Sequence, residues 1–172
     1  MSLETAEQAI NFLHNRGVEE PEIVFFGGEP LLMFDSIMKP ILEKYQGQAT
    51  FTVTTNGTLL DEDIVDFLKE HNCSVLLSFD GVKEVQDTQR PPNSFERVLK
   101  NIPYLLLRMP NTTMRATVTS ESIPYLFESI KMADQLLFKR IAFCPASGME
   151  LTEEDYHNLI EQFNLIGAWL TE

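Results

Sequence analysis

Ile23-Val24-Phe25-Phe26-Gly27-Gly28-Glu29-Pro30-Leu31-Leu32 runs an apolar segment straight into two glycines, a carboxylate and a proline. Residues 23–26 have the β-branched and aromatic composition of a short strand, and the glycines end it. A glycine pair at the carboxyl end of a strand lets bare backbone, and here one Glu, come close to a ligand. The turn thus marks a strand and the rim where chemistry would gather.

Outward from it, Leu3 to Arg16 places Ala6, Ile10, Phe12 and Leu13 at near-helical spacing, and Gly17 stands where a helix would stop. Thr50–Thr55, Ser74–Phe79, Thr112–Thr119 and Lys139–Cys144 read as further strands. Helical patterns lie at about Phe34–Tyr45, Asp61–His71, Ser94–Leu107, Ile123–Leu136 and Glu153–Leu170. This alternation predicts an α/β fold over residues 1–172, one domain with a parallel sheet wrapped by helices. Gly81 to Asn93, with Pro91 and Pro92, reads as the longest loop, functional or mobile.

The strands carry a second message. A parallel strand buried on both faces is apolar almost throughout, whereas these alternate. Thr52, Thr54 and Asn56 oppose Phe51 and Val53; Ser74, Ser78 and Asp80 oppose Val75, Leu77 and Phe79; Thr113, Arg115 and Thr117 oppose Met114, Ala116 and Val118. One side of the sheet is polar. Such a side either meets solvent or lines a cavity, and the number of helical segments to be packed favours a barrel or incomplete barrel with a ligand in its lumen. Arg115 sharpens this, because a guanidinium in mid-strand implies an anion to meet it, a ligand carboxylate or an internal Asp or Glu.

Composition removes several function classes. The chain has 13 Lys+Arg against 26 Asp+Glu, a formal net charge of −13 that repels phosphate backbones and anionic lipid. Nucleic acid and membrane are therefore not expected as partners. No apolar run approaches the roughly 18 residues of a spanning helix, no signal-peptide pattern opens the sequence, and a cytoplasmic location is the default expectation. Cys73 and Cys144 have no close-spaced partner and read as buried thiols at strand ends rather than as ligands. His14, His71 and His157 match no metal spacing with one another and read as surface or capping residues, and no metal ligand is assigned. Glu153, Glu154 and Asp155 after Thr152 read as a capped helix start. Phe25, Phe26, Phe51 and Phe79 read as core.

Three tetrapeptides stand at strand carboxyl ends: Gly27-Gly28-Glu29-Pro30, Thr54-Thr55-Asn56-Gly57 and Ser78-Phe79-Asp80-Gly81, with Arg115 inside the fourth strand. Each alone is weak, since Asn-Gly and Asp-Gly also make ordinary turns. Together they converge on one rim or lumen, where α/β folds bind ligands.

Their order and spacing resemble the radical S-adenosylmethionine (radical SAM) family, and within it the SPASM-type, peptide- and protein-modifying branch that includes anaerobic sulfatase maturases. FFGGEPLL, TTNGTLL at Thr54–Leu60, LSFDG at Leu77–Gly81, Asp87 and Arg90 in QDTQR, SFERVLKNI at Ser94–Ile102 and RATVT at Arg115–Thr119 carry the resemblance, with LTEEDY at Leu151–Tyr156 and the late AWL. It spans about Glu4 to Leu170. The fold it implies is a partial TIM-type barrel, an incomplete (β/α)6 barrel lacking its first strand.

The resemblance implies that Gly27, Gly28 and Glu29, with Pro30 completing the motif, bind the methionyl amino group of S-adenosylmethionine. Backbone carbonyls and a carboxylate are the acceptors an ammonium needs. Ser78 would approach the ribose or carboxylate, Arg115 would pair with the carboxylate, and Thr54 and Asn56 would line the same pocket. Asp80 fits the rim and equally fits a cap on its own turn. The family cleaves S-adenosylmethionine reductively at a 4Fe–4S cluster, releasing a deoxyadenosyl radical that takes hydrogen from a peptide or protein substrate. An electron-donor protein is implied as a second partner.

The CxxxCxxC loop that holds this cluster is absent, so the cluster ligands are expected N-terminal to residue 1, and the chain alone is expected to be an inactive fragment. Gln86 stands where the family has His in HDxxR, and the glycines usual before the SF element are replaced around Pro92 and Asn93. With no preceding strand, Ile23–Phe26 becomes an open edge and self-association is expected. The alternative is a non-catalytic α/β module that binds a nucleotide or partner protein through the same rim.

Overall fold

The computed structural model describes residues 1–171. Helix α1 (Leu3–Asn15) is capped by Ser2, whose hydroxyl accepts from the Thr5 amide at 3.1 Å, and it buries Ala6 and Ile10. Strand β1 (Glu22–Phe25) follows; a 3-10 turn (Pro30–Met33) and a π-helical turn (Phe34–Met38) then lead into α2 (Lys39–Lys44). Next come β2 (Thr50–Thr55), α3 (Glu62–Glu70), β3 (Cys73–Ser78), α4 (Lys83–Gln89), α5 (Ser94–Leu99) and α6 (Ile102–Arg108). The chain finishes with β4 (Thr113–Val118), a 3-10 turn (Ile123–Tyr125), α7 (Leu126–Gln135), β5 (Arg140–Pro145) and α8 (Glu153–Leu170).

All five strands pair parallel in chain order, β1-β2-β3-β4-β5. The sheet is the α/β, partial TIM-type barrel expected of these strands. Its register keeps the predicted faces apart. Phe51, Val53, Val75, Leu77, Met114 and Ala116 lie on one face, each 3% exposed or less, in one core with Leu68, Val98, Ile102 and Leu105 from the helices. Thr52, Ser74, Ser78, Thr113, Arg115 and Thr117 alternate onto the other face, where Ser74 and Arg115 are exposed and the other four half-buried. Burial of the apolar set sets the register, because a one-residue slip would exchange the two faces.

Four expectations are corrected. The segment Gly81–Asn93 is not a loop; it contains α4, which sequence periodicity misses because Val85 is its one buried apolar residue and its neighbour there is buried Gln86. The single helix expected over Ser94–Leu107 is divided between α5 and α6 near Pro103 at the start of α6. Phe26 is 71% exposed rather than core, because it continues the alternation onto the uncovered face of an edge strand. Cys144 is half-buried, while Cys73 is fully buried at the start of β3.

Between α1 and β1 lies an apolar groove of about 320 Å³ lined by Ile10, Leu13, Ile23, Phe25, Ile37 and neighbours. β1 pairs only with β2, so its other edge carries unpaired backbone groups beside this groove.

Candidate functional site

The turn after β1 sets the rim. Gly27 and Gly28 have φ of 98° and 51°, which L side chains rarely adopt, and a Cβ on either would meet nothing within 4 Å. Conformation, not crowding, requires glycine there, and the space above both is open. Glu29 then caps the 3-10 turn: its Oε1 accepts from the Leu31 amide at 3.1 Å and from the Thr55 hydroxyl at 2.7 Å. Its Oε2 accepts from the Asn56 amide at 2.8 Å. One carboxylate thereby stitches the β1 turn to the end of β2. Pro30 begins the 3-10 turn, where a missing amide proton costs nothing.

Thr55 was not among the sequence candidates. It alternates onto the apolar face, so the polar-face pattern passes over it, although its hydroxyl also accepts from the Gly57 amide at 3.0 Å. Asn56 spends its side-chain oxygen on the Thr58 amide at 2.9 Å and hydroxyl at 2.7 Å, an Asx turn. Thr54 is 8% exposed and sits on the polar face, level with Leu76 and, across it, Thr113.

Ser78 pairs in register with Arg115, and Arg115 with Ala142. Asn56, one residue past the Thr55–Leu77 pair, continues this row toward the glycine turn. Neighbouring strands lie about 4.8 Å apart, so the row brings an amide, a hydroxyl and a guanidinium together on the uncovered face. Among the described residues, neither the Ser78 hydroxyl nor the Arg115 guanidinium has a hydrogen-bond partner, and Arg115 enters no ion pair. Arg115 is exposed, so burial demands no anion there, and no described Asp or Glu pairs with it.

Asp80 does not cap its own turn. It is 2% exposed, and its carboxylate is spent on groups outside that turn. Its Oδ1 accepts from the Thr117 amide at 2.8 Å, and Arg90 grips both oxygens, Nε to Oδ2 at 2.5 Å and Nη2 to Oδ1 at 3.1 Å.

Among the described residues no group of three or more His, Cys, Asp or Glu side chains could hold a metal ion. Burial pushes the Cys73 thiol up to about 12, so it stays neutral at physiological pH, and it opens β3 at the end remote from Ser78. His14 and His71 bond the Val18 and Phe67 carbonyls at 3.1 and 2.9 Å, both at helix carboxyl ends. Among the described residues no helix is long and apolar enough to cross a membrane.

A family model described as the radical SAM superfamily matches residues 1–133. An uncharacterized protein of Methanocaldococcus jannaschii is 33% identical over 159 residues, covering 83% of this chain and 52% of its own length. A cysteine-type anaerobic sulfatase-maturating enzyme of Clostridium novyi is 28% identical over 158 residues, covering 84% of this chain and 41% of that enzyme. Among solved structures, native anSMEcpe with bound AdoMet and Cp18Cys peptide superimposes with a TM-score of 0.79 at 24% identity, covering 98% of this chain and 52% of that one. The chain spans about half the length, or less, of these relatives.

Proposed function

Because the chain belongs to the radical SAM superfamily, we propose that it is the S-adenosylmethionine-binding part of an enzyme that modifies a peptide or protein. The observation that carries this reading is the row of Asn56, Ser78 and Arg115, with a guanidinium that no described acid neutralises. Arg115 takes the methionyl carboxylate, which a planar fork of donors suits. Ser78 donates to that carboxylate or to the ribose, and Asn56 and Thr54 lie beside it on the same face. The open space above Gly27 and Gly28 receives the methionyl ammonium, with their backbone carbonyls as acceptors. Glu29 orients this turn through its bonds to Leu31, Thr55 and Asn56 and adds negative charge beside the ammonium. Asp80 acts through the strands it joins rather than on the ligand.

S-adenosylmethionine, when bound and reduced by one electron, supplies a deoxyadenosyl radical able to take hydrogen from a substrate. The residues present do not fit the 4Fe–4S cluster that delivers this electron, because Cys73 and Cys144 are the only cysteines and Cys73 is buried and neutral. The cluster's ligands, a redox partner and the whole enzyme's activity are accordingly assigned to residues and proteins outside these 172. On this reading residues 1–172 belong to one catalytic domain. A peptide substrate is supported by the sulfatase-maturating relative and by the peptide-bound neighbour. The β1 edge and its groove support pairing between copies of the isolated chain.

Calorimetric titration of the chain with S-adenosylmethionine, S-adenosylhomocysteine and ATP tests the reading. Binding of the two nucleosides that carry an α-amino acid tail, and loss of that binding in Arg115→Ala, are expected. Preferential binding of ATP would favour a nucleotide-binding module instead.

A further inference from the structure

β3 and β4 part just above the ligand row. Their pairing ends at Ser78 and Arg115, and the Phe79 amide donates to the Arg115 carbonyl at 3.1 Å. β4 runs on to Val118 without β3 beside it, so the Thr117 amide needs another acceptor. The Asp80 carboxylate supplies it at 2.8 Å. A carboxylate that is 2% exposed is costly to bury alone, and Arg90 neutralises it with two bonds.

Arg90 is delivered by α4, and α4 is itself fastened to the same point. Gln86 is fully buried; its Oε1 accepts from the Asp80 amide at 2.8 Å and its Nε2 donates to the Ser94 hydroxyl at 3.3 Å. Gln89 donates to the Thr119 hydroxyl at 3.2 Å, just past β4. The intervening turn is pinned from the other side: Gly81 has a φ of 110°, a Cβ there would lie 2.2 Å from the Ser129 Oγ, and the Val82 amide donates to that oxygen at 3.3 Å.

We propose that Arg90 and Gln86 are positioning residues: by locking Asp80 they fix the separation of the β3 and β4 tips, and with it the spacing of Ser78 and Arg115. The inference rests on the reading of Ser78 and Arg115 as S-adenosylmethionine contacts. A carboxylate ligand spanning a hydroxyl on one strand and a guanidinium on the next is sensitive to how far those strands splay. Arg90→Lys keeps the charge but cannot reproduce a two-pronged grip. Gln86→Leu keeps an approximate volume and removes both bonds.

The test compares the unmodified chain with Arg90→Lys and Gln86→Leu by amide hydrogen exchange and by NMR titration with S-adenosylmethionine. The Thr117 amide is expected to exchange about tenfold faster in each variant, while Val53 in interior strand β2 keeps its protection. Affinity for S-adenosylmethionine is expected to fall about tenfold in parallel. Unchanged Thr117 exchange in Arg90→Lys overturns the brace; faster exchange with unchanged affinity overturns its positioning role. Should Gln86→Leu lose protection at Val53 as well, Arg90→Lys decides alone. Failure of the unmodified chain to show shifts at Ser78 and Arg115 sinks the ligand reading instead, and the positioning role with it.

Discussion

Arg115 and Glu29 are both charged residues of the rim, yet the structure uses them in opposite ways. Glu29 has its carboxylate engaged by Leu31, Thr55 and Asn56, so it is as much a structural part as a chemical one. Glu29→Ala leaves the Asn56 amide without its acceptor and unfastens the turn from β2. A loss of about 2 kcal/mol of stability is expected, the scale for hydrogen bonds to a charged group, read from urea unfolding. Arg115 has no such internal partner, and Arg115→Ala is expected to leave the unfolding midpoint nearly unchanged while weakening S-adenosylmethionine at least about tenfold. A midpoint falling as far as that of the Glu29 variant would show that Arg115 holds the fold rather than a ligand.

At the scale of elements, α8 meets α7 through Gln162 and Trp169, which both reach Phe127, and its first turn is tied to the end of β4. Thr152 and Asp155 form a reciprocal capping box: the Thr152 amide donates to Asp155 Oδ2 at 2.8 Å and the Asp155 amide to the Thr152 hydroxyl at 3.2 Å. The Ser120 hydroxyl, just past β4, reaches the same carboxylate oxygen at 3.1 Å, so the cap also ties α8 to the rim. Hydrogen bonds from the Thr152 backbone and then its side chain hold the Asp155 carboxyl below the usual carboxylate range. A lowered native value means that the unfolded chain takes up the proton first. The stabilisation is therefore complete above about pH 4 and is lost as pH falls through the lower native value. Acid titration followed by circular dichroism should show this loss in the unmodified chain and a flatter acid limb in Asp155→Asn; identical limbs would remove Asp155 from the account. The capped helix start was legible in the sequence because the Thr-x-x-Asp spacing is itself the mechanism. α4 was not, since Lys83–Gln89 has no apolar stripe and is held instead by buried Gln86 and by the bond from Lys83 to Asp87 at 2.6 Å.

Across the whole molecule, the parallel sheet and its split into an apolar and a polar face could be read from alternation alone, because each strand has to bury one face against helices. The partnership of Asp80 with Arg90 could not, since it joins residues through tertiary geometry that no periodicity encodes. Phe26 was misread for a related reason: an edge strand lacks the neighbour that would cover it, and sequence does not mark which strand is the edge. That edge has a consequence for assembly. Val24, 48% exposed on β1, borders the apolar groove, and the isolated chain is expected to associate in a concentration-dependent way in sedimentation velocity. Val24→Lys should restore a monomer, and a variant that associates as strongly as the unmodified chain would exclude this edge.

The account stands on the row of Asn56, Ser78 and Arg115 beneath the glycine turn, and a crystal structure of the chain with S-adenosylmethionine tests it most directly. The methionyl carboxylate is expected within hydrogen-bond distance of the Arg115 guanidinium and the ammonium over Gly27 and Gly28. A ligand seated elsewhere, with Arg115 unengaged, would contradict it.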